Sequence, residues 1–168
     1  MIFVTVGTAE PFDRLLAALE PLPGDEELLV QYGSSTVRPT RATLVDYLPY
    51  ADLADAVRRA RAVVTHGGVG SVLTALTLGR RPVVVPRLRR FGEAVDDHQL
   101  EFARRLEQRG LVDLVEDVAA LPALLASDRG AAGTVRFGGA LATELRAYLI
   151  GDDAVPSVTR PGARAVAG

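Results

Sequence analysis

The segment Val63–Pro86 constrains this chain more than any other. Val63-Val64-Thr65 is a short apolar run, and His66-Gly67-Gly68-Val69-Gly70-Ser71 follows it. Next come Val72–Gly79, with apolar residues at helical spacing, and a second apolar run, Pro82-Val83-Val84-Val85-Pro86. A strand that enters a glycine-rich turn, a helix and another strand is half of a nucleotide-binding fold. Glycines let the backbone approach an anion with no Cβ in the way. The helix behind them directs unpaired N–H groups and the positive end of its dipole at that anion. The plainer alternative is a tight strand-to-helix turn with Ser71 as the helix cap.

The rest of the chain repeats the alternation. Ile2–Val6, Leu28–Tyr32, Thr43–Leu48, Ala62–Thr65, Pro82–Val85 and Leu111–Val115 read as strands, short and nearly all apolar, as strands buried on both faces are. Pro11–Leu19, Ala51–Arg59, Gly70–Leu78, Asp96–Gln108 and Val118–Ala126 read as helices. Pro11 suits a first helical turn, and Gly79 and Gly110 suit helix ends. The alternation predicts an α/β fold, a single Rossmann-like, doubly wound parallel sheet over residues 1–150. A last helix is expected over Phe137–Leu149, followed by a disordered Pro-, Gly- and Ala-rich tail, 151–168.

Composition removes several classes of chemistry. The 168 residues include no cysteine, so no disulfide, thiolate metal site or thiol nucleophile is available. Two histidines, His66 and His98, argue against a structural zinc site. All 19 basic residues are arginine, which excludes lysine as a base. A net charge of −2 gives no bulk attraction to nucleic acid or to an anionic membrane. No apolar stretch is long enough to span a bilayer, and the N-terminus lacks a basic leader, so a cytoplasmic protein is expected.

Ligands of such sheets bind beyond the carboxyl ends of the strands. Three loops belong there: Gly7–Glu10, His66–Ser71 and Arg87–Asp97. The second lacks the Gly-Lys-Ser/Thr of a Walker loop and is not a dinucleotide fingerprint, which would follow the first strand. Ser71 and His66 are candidate phosphate donors, and the Gly7-Thr8 loop could take a second face of a diphosphate. Glu93, Asp96, Asp97, His98 and Gln99 crowd one helix start and suit a polyhydroxylated ligand, although charge complementing a helix dipole explains the aspartates equally well. Arg87, Arg89 and Arg90 either face a phosphate or partner or are simply solvated.

Together, His66–Ser71, Ala75-Leu76, Gly79, Pro82, Pro86 and Asp97-His98-Gln99 resemble the donor-binding half of GT-B glycosyltransferases, specifically the glycosyltransferase family 28 C-terminal domain. The opening Ile2–Thr8 with Pro11-Phe12-Asp13-Arg14-Leu15 is similar to the catalytic subunits of split N-acetylglucosaminyltransferases of the dolichol pathway, and to their bacterial counterparts in exopolysaccharide and capsule assembly. The resemblance implies that Thr8, His66, Gly67, Gly68, Gly70 and Ser71 hold the UDP diphosphate. It places Leu48 against uracil, Thr74 at the ribose, and Asp97, His98 and Gln99 on the donor sugar. Many relatives carry a glutamate where this chain has Thr74, which puts the ribose contact in question.

The same resemblance implies an inverting transfer from a UDP-sugar to a polyprenyl-diphosphate-linked acceptor, without metal or other cofactor. The acceptor half is then expected on a membrane-anchored, Rossmann-like partner that holds this subunit at the inner face of the membrane. The general base stays unassigned. A non-catalytic nucleotide-sugar-binding regulator or scaffold is the alternative, and a UDP-sugar 2-epimerase is disfavoured because it needs both halves in one chain.

Overall fold

A computed structural model describes residues 1–22 and 25–127. The expected helix Phe137–Leu149 and the tail 151–168 lie outside these residues. Six strands form one sheet: β1 (Ile2–Thr5), β2 (Leu28–Gln31), β3 (Thr43–Val45), β4 (Ala62–His66), β5 (Val83–Val85) and β6 (Asp113–Leu114). Their order is β3-β2-β1-β4-β5-β6, and every pairing is parallel.

The apolar runs are continuous because both faces of the sheet are covered. Ile2, Val4, Leu28, Val30, Ala62, Val64, Val83 and Val85 face α1 (Asp13–Ala17) and α5 (Leu121–Ala126), where Leu15, Leu16, Leu121 and Leu125 close the layer. Phe3 and Val63 point the other way, onto α2 (Tyr50–Arg59) and α3 (Val69–Thr77), through Ala56, Val57 and Ala75. Successive strand residues alternate between faces, so each strand feeds both cores. A further helix, α4 (His98–Gln108), buries Phe102, Ala103 and Leu106.

Two of the boundaries that differ from the sequence reading have identifiable causes. β3 stops at Val45, not Leu48, because the Asp46 carboxylate accepts the Tyr47 N–H at 2.8 Å and Pro49 has none to donate. α1 begins at Asp13, two residues after Pro11, since the Phe12 N–H is taken by Ser35 Oγ at 2.8 Å. The segment 118–126 divides into a 3-10 turn (Val118–Ala120) and α5. Gly79 and Gly110 follow α3 and α4 with φ of 76° and 71°, as helix-ending glycines do.

The chain runs outward from β1 in both directions, to β2 and β3 on one side and to β4, β5 and β6 on the other. The β1/β4 pair is therefore the point where strand order reverses, and the loops leaving these two strands part there to open a crevice. The loop after β2 supports one wall. Ser34 Oγ donates to Ala9 O at 3.1 Å, and Asp13 accepts from the Thr36 N–H at 2.8 Å, the Thr36 hydroxyl at 2.7 Å and the Val37 N–H at 3.0 Å. Gly33 has φ of 55°, and a Cβ built there would lie 2.2 Å from the Gly7 carbonyl oxygen. Gly33→Ala is expected to lower unfolding free energy by about 2 kcal/mol or more, from left-handed strain plus a backbone clash that cannot relax locally. Denaturant titration checks this, and unchanged stability would show that the first loop yields easily.

Candidate functional site

The crevice is built around one imidazole. His66 is the last residue of β4, and its ring fills the gap between the loops after β1 and β4. A Cβ on Gly7 would lie 2.9 Å from His66 Cε1, and one on Gly68 would lie 2.2 Å from Nε2. Gly7 also has φ of 77°, so both its conformation and its neighbour require glycine. Gly67 is required for a third contact: a Cβ there would lie 2.8 Å from Gln99 Cβ.

Gly68 occupies the N-cap position of α3. The N–H groups of Val69, Gly70 and Ser71 form its first turn and have no acceptor among the described residues. Ser71 is thus the third helical residue and not the cap. Its hydroxyl and that of Thr8 also make no hydrogen bond among the described residues. Gly70 differs from its neighbours, because a Cβ there would meet nothing within 4 Å. Open space therefore lies beside Gly70, at the start of α3.

His66 is neutral at physiological pH. Burial is the main cause, and the Arg87 guanidinium adds to it; the Thr5 carbonyl opposes both without outweighing them, and the pKa falls to about 4. The buried Nδ1 has no hydrogen-bond partner among the described residues. The ring can therefore donate or accept at the crevice without carrying charge there.

The remaining predicted residues divide into two groups. Leu48 lies in the β3–α2 loop, half-buried against the Phe3–Val57 core, and is not at a strand end. Thr74 donates its hydroxyl back to Gly70 O at 2.8 Å, so it can only accept from a further group. Asp97 precedes α4 and accepts the Arg89 N–H at 2.9 Å. Exposed His98 pairs through Nδ1 with Asp96, which also accepts the His98 N–H at 3.1 Å. Gln99 accepts the Arg87 N–H at 3.1 Å, which fixes its amide and leaves the NH2 group to donate elsewhere. The structure thus brings Gln99 against Gly67, beside the glycine loop, while Leu48 and Thr74 lie along the α2–α3 side.

Two readings of the charged loop need correction. Glu93 does not belong to a ligand-facing cluster: it forms a bidentate pair with Arg14 at 2.7 and 2.8 Å and accepts the Leu88 N–H at 3.1 Å. Arg87 is not solvated like Arg89 and Arg90; it is 5% exposed. Its Nη2 donates to Val6 O at 2.7 Å and Glu10 O at 2.6 Å, holding the loop after β1. No local pattern distinguishes it from its exposed neighbours, although its place immediately after a buried strand and Pro86 could have.

Two outcomes follow from this geometry. Gly70→Ala should fold with stability within about 0.5 kcal/mol of wild type apart from helix propensity, yet lose anion binding at the α3 N-terminus about tenfold or more, because the methyl group enters the open space. Isothermal calorimetry with pyrophosphate or a nucleoside diphosphate, beside a melting curve, separates the two effects. The second concerns acid. Unfolded His66 binds a proton near its ordinary value of 6.5, whereas the folded group binds one near 4. Its contribution to stability is therefore complete above pH 6.5 and lost as pH falls toward 4, about 2 kcal/mol of it by pH 5. Denaturant titrations of wild type and His66→Gln at pH 7 and pH 5 isolate this share; an equal loss in both would assign the acid sensitivity to other groups.

The model of the glycosyltransferase family 28 C-terminal domain matches residues 1–128. The human UDP-N-acetylglucosamine transferase subunit ALG13 is 35% identical over 123 residues, 65% of this chain and 10% of the human protein. The Yarrowia lipolytica protein of the same name is 31% identical over 122 residues, 63% of this chain and 60% of that protein. The chain thus spans a tenth of one relative and three-fifths of the other. Among solved structures, Acinetobacter baumannii MurG superposes with a TM-score of 0.54 at 24% identity, covering 77% of this chain and 42% of that one, a likeness of fold. With three-quarters of its length matched and the switch-point crevice in place, the chain belongs to the glycosyltransferase family 28 C-terminal domain family.

Proposed function

We propose that this chain is the donor-binding, catalytic subunit of a two-component inverting glycosyltransferase, which takes a sugar from a UDP-sugar and transfers it to a polyprenyl-diphosphate-linked acceptor. One observation carries the reading: the unpartnered N–H groups that open α3 lie beside a half-buried imidazole, with open space next to Gly70, at the switch point of a parallel sheet. The donor diphosphate would lie across Gly67, Gly68, Gly70 and Ser71, with His66 beneath it and Thr8 on the opposite wall. Uracil and ribose would extend along Leu48 and Thr74, and Gln99, with Asp97 or His98, would read the sugar hydroxyls.

Chemistry at such a site is stabilisation of the leaving group. As the bond to the anomeric carbon breaks, charge builds on the UDP oxygens. Fixed N–H groups and the helix dipole meet that charge without reorganising. The reading needs no resident metal, because fixed N–H groups and the helix dipole take its place. The acceptor hydroxyl needs a base. His66 is committed to the donor side, so the base is assigned to a membrane-anchored, Rossmann-like partner that brings the lipid-linked acceptor. The described residues include no helix long and apolar enough to cross a membrane, so peripheral attachment through that partner fits the reading.

A non-catalytic nucleotide-sugar-binding subunit is the second reading. The Thr74 hydroxyl favours it, because it is spent inside α3 where many relatives offer ribose a carboxylate. One experiment separates the two. Calorimetry in EDTA should show UDP and its sugar conjugates binding about tenfold or more tightly than UMP. Radiolabelled transfer to a lipid-linked acceptor should appear only when the membrane-anchored partner is added. Equal binding of UDP and UMP removes the donor site. Tight binding with no transfer in the complete complex selects the regulator.

A further inference from the structure

Arg87 is the only charged residue among the described ones whose whole surface is buried to this degree, at 5% exposure. Burying a guanidinium costs several kcal/mol unless something compensates it. No carboxylate lies within ion-pair distance of it among the described residues. Its partners are neutral: Val6 O at 2.7 Å, Glu10 O at 2.6 Å, Pro11 O at 3.5 Å and the Phe12 ring at 5.1 Å. Carbonyl dipoles solvate the cation but leave its charge in place. Arg14, the other arginine of this corner, is by contrast neutralised by Glu93.

The position of that charge is specific. The three carbonyls belong to the loop after β1, which forms one wall of the crevice. The Arg87 N–H is held by Gln99, which packs on Gly67 in the other wall. The guanidinium also lies close enough to His66 to disfavour a second positive charge there, while Glu10 and Glu93 act on Arg87 from a distance in the opposite sense. One buried, unpaired cation thus stands behind both anion loops and fixes the geometry of each.

We propose that Arg87 is the buried counter-charge of the crevice: it clamps the Val6–Pro11 loop and offsets the charge of a bound nucleoside diphosphate from behind the loop, without touching it. The assignment rests on the donor-site reading above. It makes Arg87 a positioning residue, and it explains why a group so costly to bury has no carboxylate within ion-pair distance among the described residues. The diphosphate is the partner.

The test uses the full chain as wild type, Arg87→Met and Arg87→Lys. Affinities for UDP and for uridine are measured side by side, and the His66 ring is titrated by NMR, where only two histidines contribute. Arg87→Met is expected to lose UDP affinity about tenfold or more while uridine changes less than about twofold, because only UDP carries the charge. Its His66 should titrate at higher pH than in wild type. Arg87→Lys keeps the charge without the planar fork. It should retain a UDP-to-uridine ratio within about threefold of wild type, with His66 still low. This variant also decides the matter if Arg87→Met fails to fold. Equal losses of UDP and uridine in either variant, or an unchanged ratio in Arg87→Met, would falsify the counter-charge and leave only a clamp. A wild-type chain that binds UDP no better than uridine overturns the donor site itself, and this assignment with it.

Discussion

The rest of the structure depends on the space that two missing Cβ atoms leave for one imidazole. β1 and β4 pair in parallel with Thr5 opposite Thr65, so Gly7 and His66 leave the sheet side by side. With Gly7 on one side and Gly68 on the other, the His66 ring lies flat between two stretches of backbone. The ring cannot move without opening the turn into α3, and the turn cannot change without striking the ring. Gly33 adds a further layer by pressing the next loop against the Gly7 carbonyl. The crevice is therefore rigid before any ligand arrives, and preorganised donors are the ones that stabilise developing charge effectively.

Rigidity explains why the site is arranged electrostatically as it is. The donors of α3 carry partial charge only, through the helix dipole and unpaired N–H groups. His66 contributes none at neutral pH. The formal positive charge near the loops comes from Arg87, which solvent cannot screen as it screens the exposed Arg89 and Arg90. The surface carboxylates are occupied with structure: Asp96 and Asp97 accept backbone N–H groups around the start of α4, and Glu93 ties that loop to Arg14 on α1. Acidic residues thus shape the mouth of the crevice while contributing little repulsion at its floor.

Much of this was legible in the sequence, and the reasons are local. Ile2–Thr5, Ala62–His66 and Val83–Val85 could be read as strands because two covered faces demand unbroken apolar runs. Gly67–Gly68 could be read as a strand-to-helix turn because a strand and a helix pattern flank it. What the sequence concealed depends on distant partners. The start of α1 is set by Ser35, 23 residues from Phe12, and Glu93 is claimed by Arg14, 79 residues away. Arg87 sits one residue past a strand run and looks like the arginines that follow it. Only the fold shows that the loop after β1 closes over it. Leu48 misled for a different reason: hydrophobicity reports burial, and a residue can be buried after backbone pairing has ended.

Thr74 shows how a single substitution redistributes work within such a site. A glutamate one turn into α3 would reach outward with two acceptor oxygens. The threonine turns its hydroxyl onto Gly70 O instead, sharing the carbonyl one turn back along the helix. One acceptor oxygen, with two lone pairs, then remains where a carboxylate would offer about four lone-pair sites. On the donor-site reading proposed above, ribose is held less by this helix and more by the diphosphate that anchors it. That shifts the weight of nucleotide recognition toward the glycine loop and the charge behind it. On that reading, in a chain with Thr74 the buried cation and the unpaired N–H groups of α3 carry a larger share of donor affinity than they would beside a glutamate.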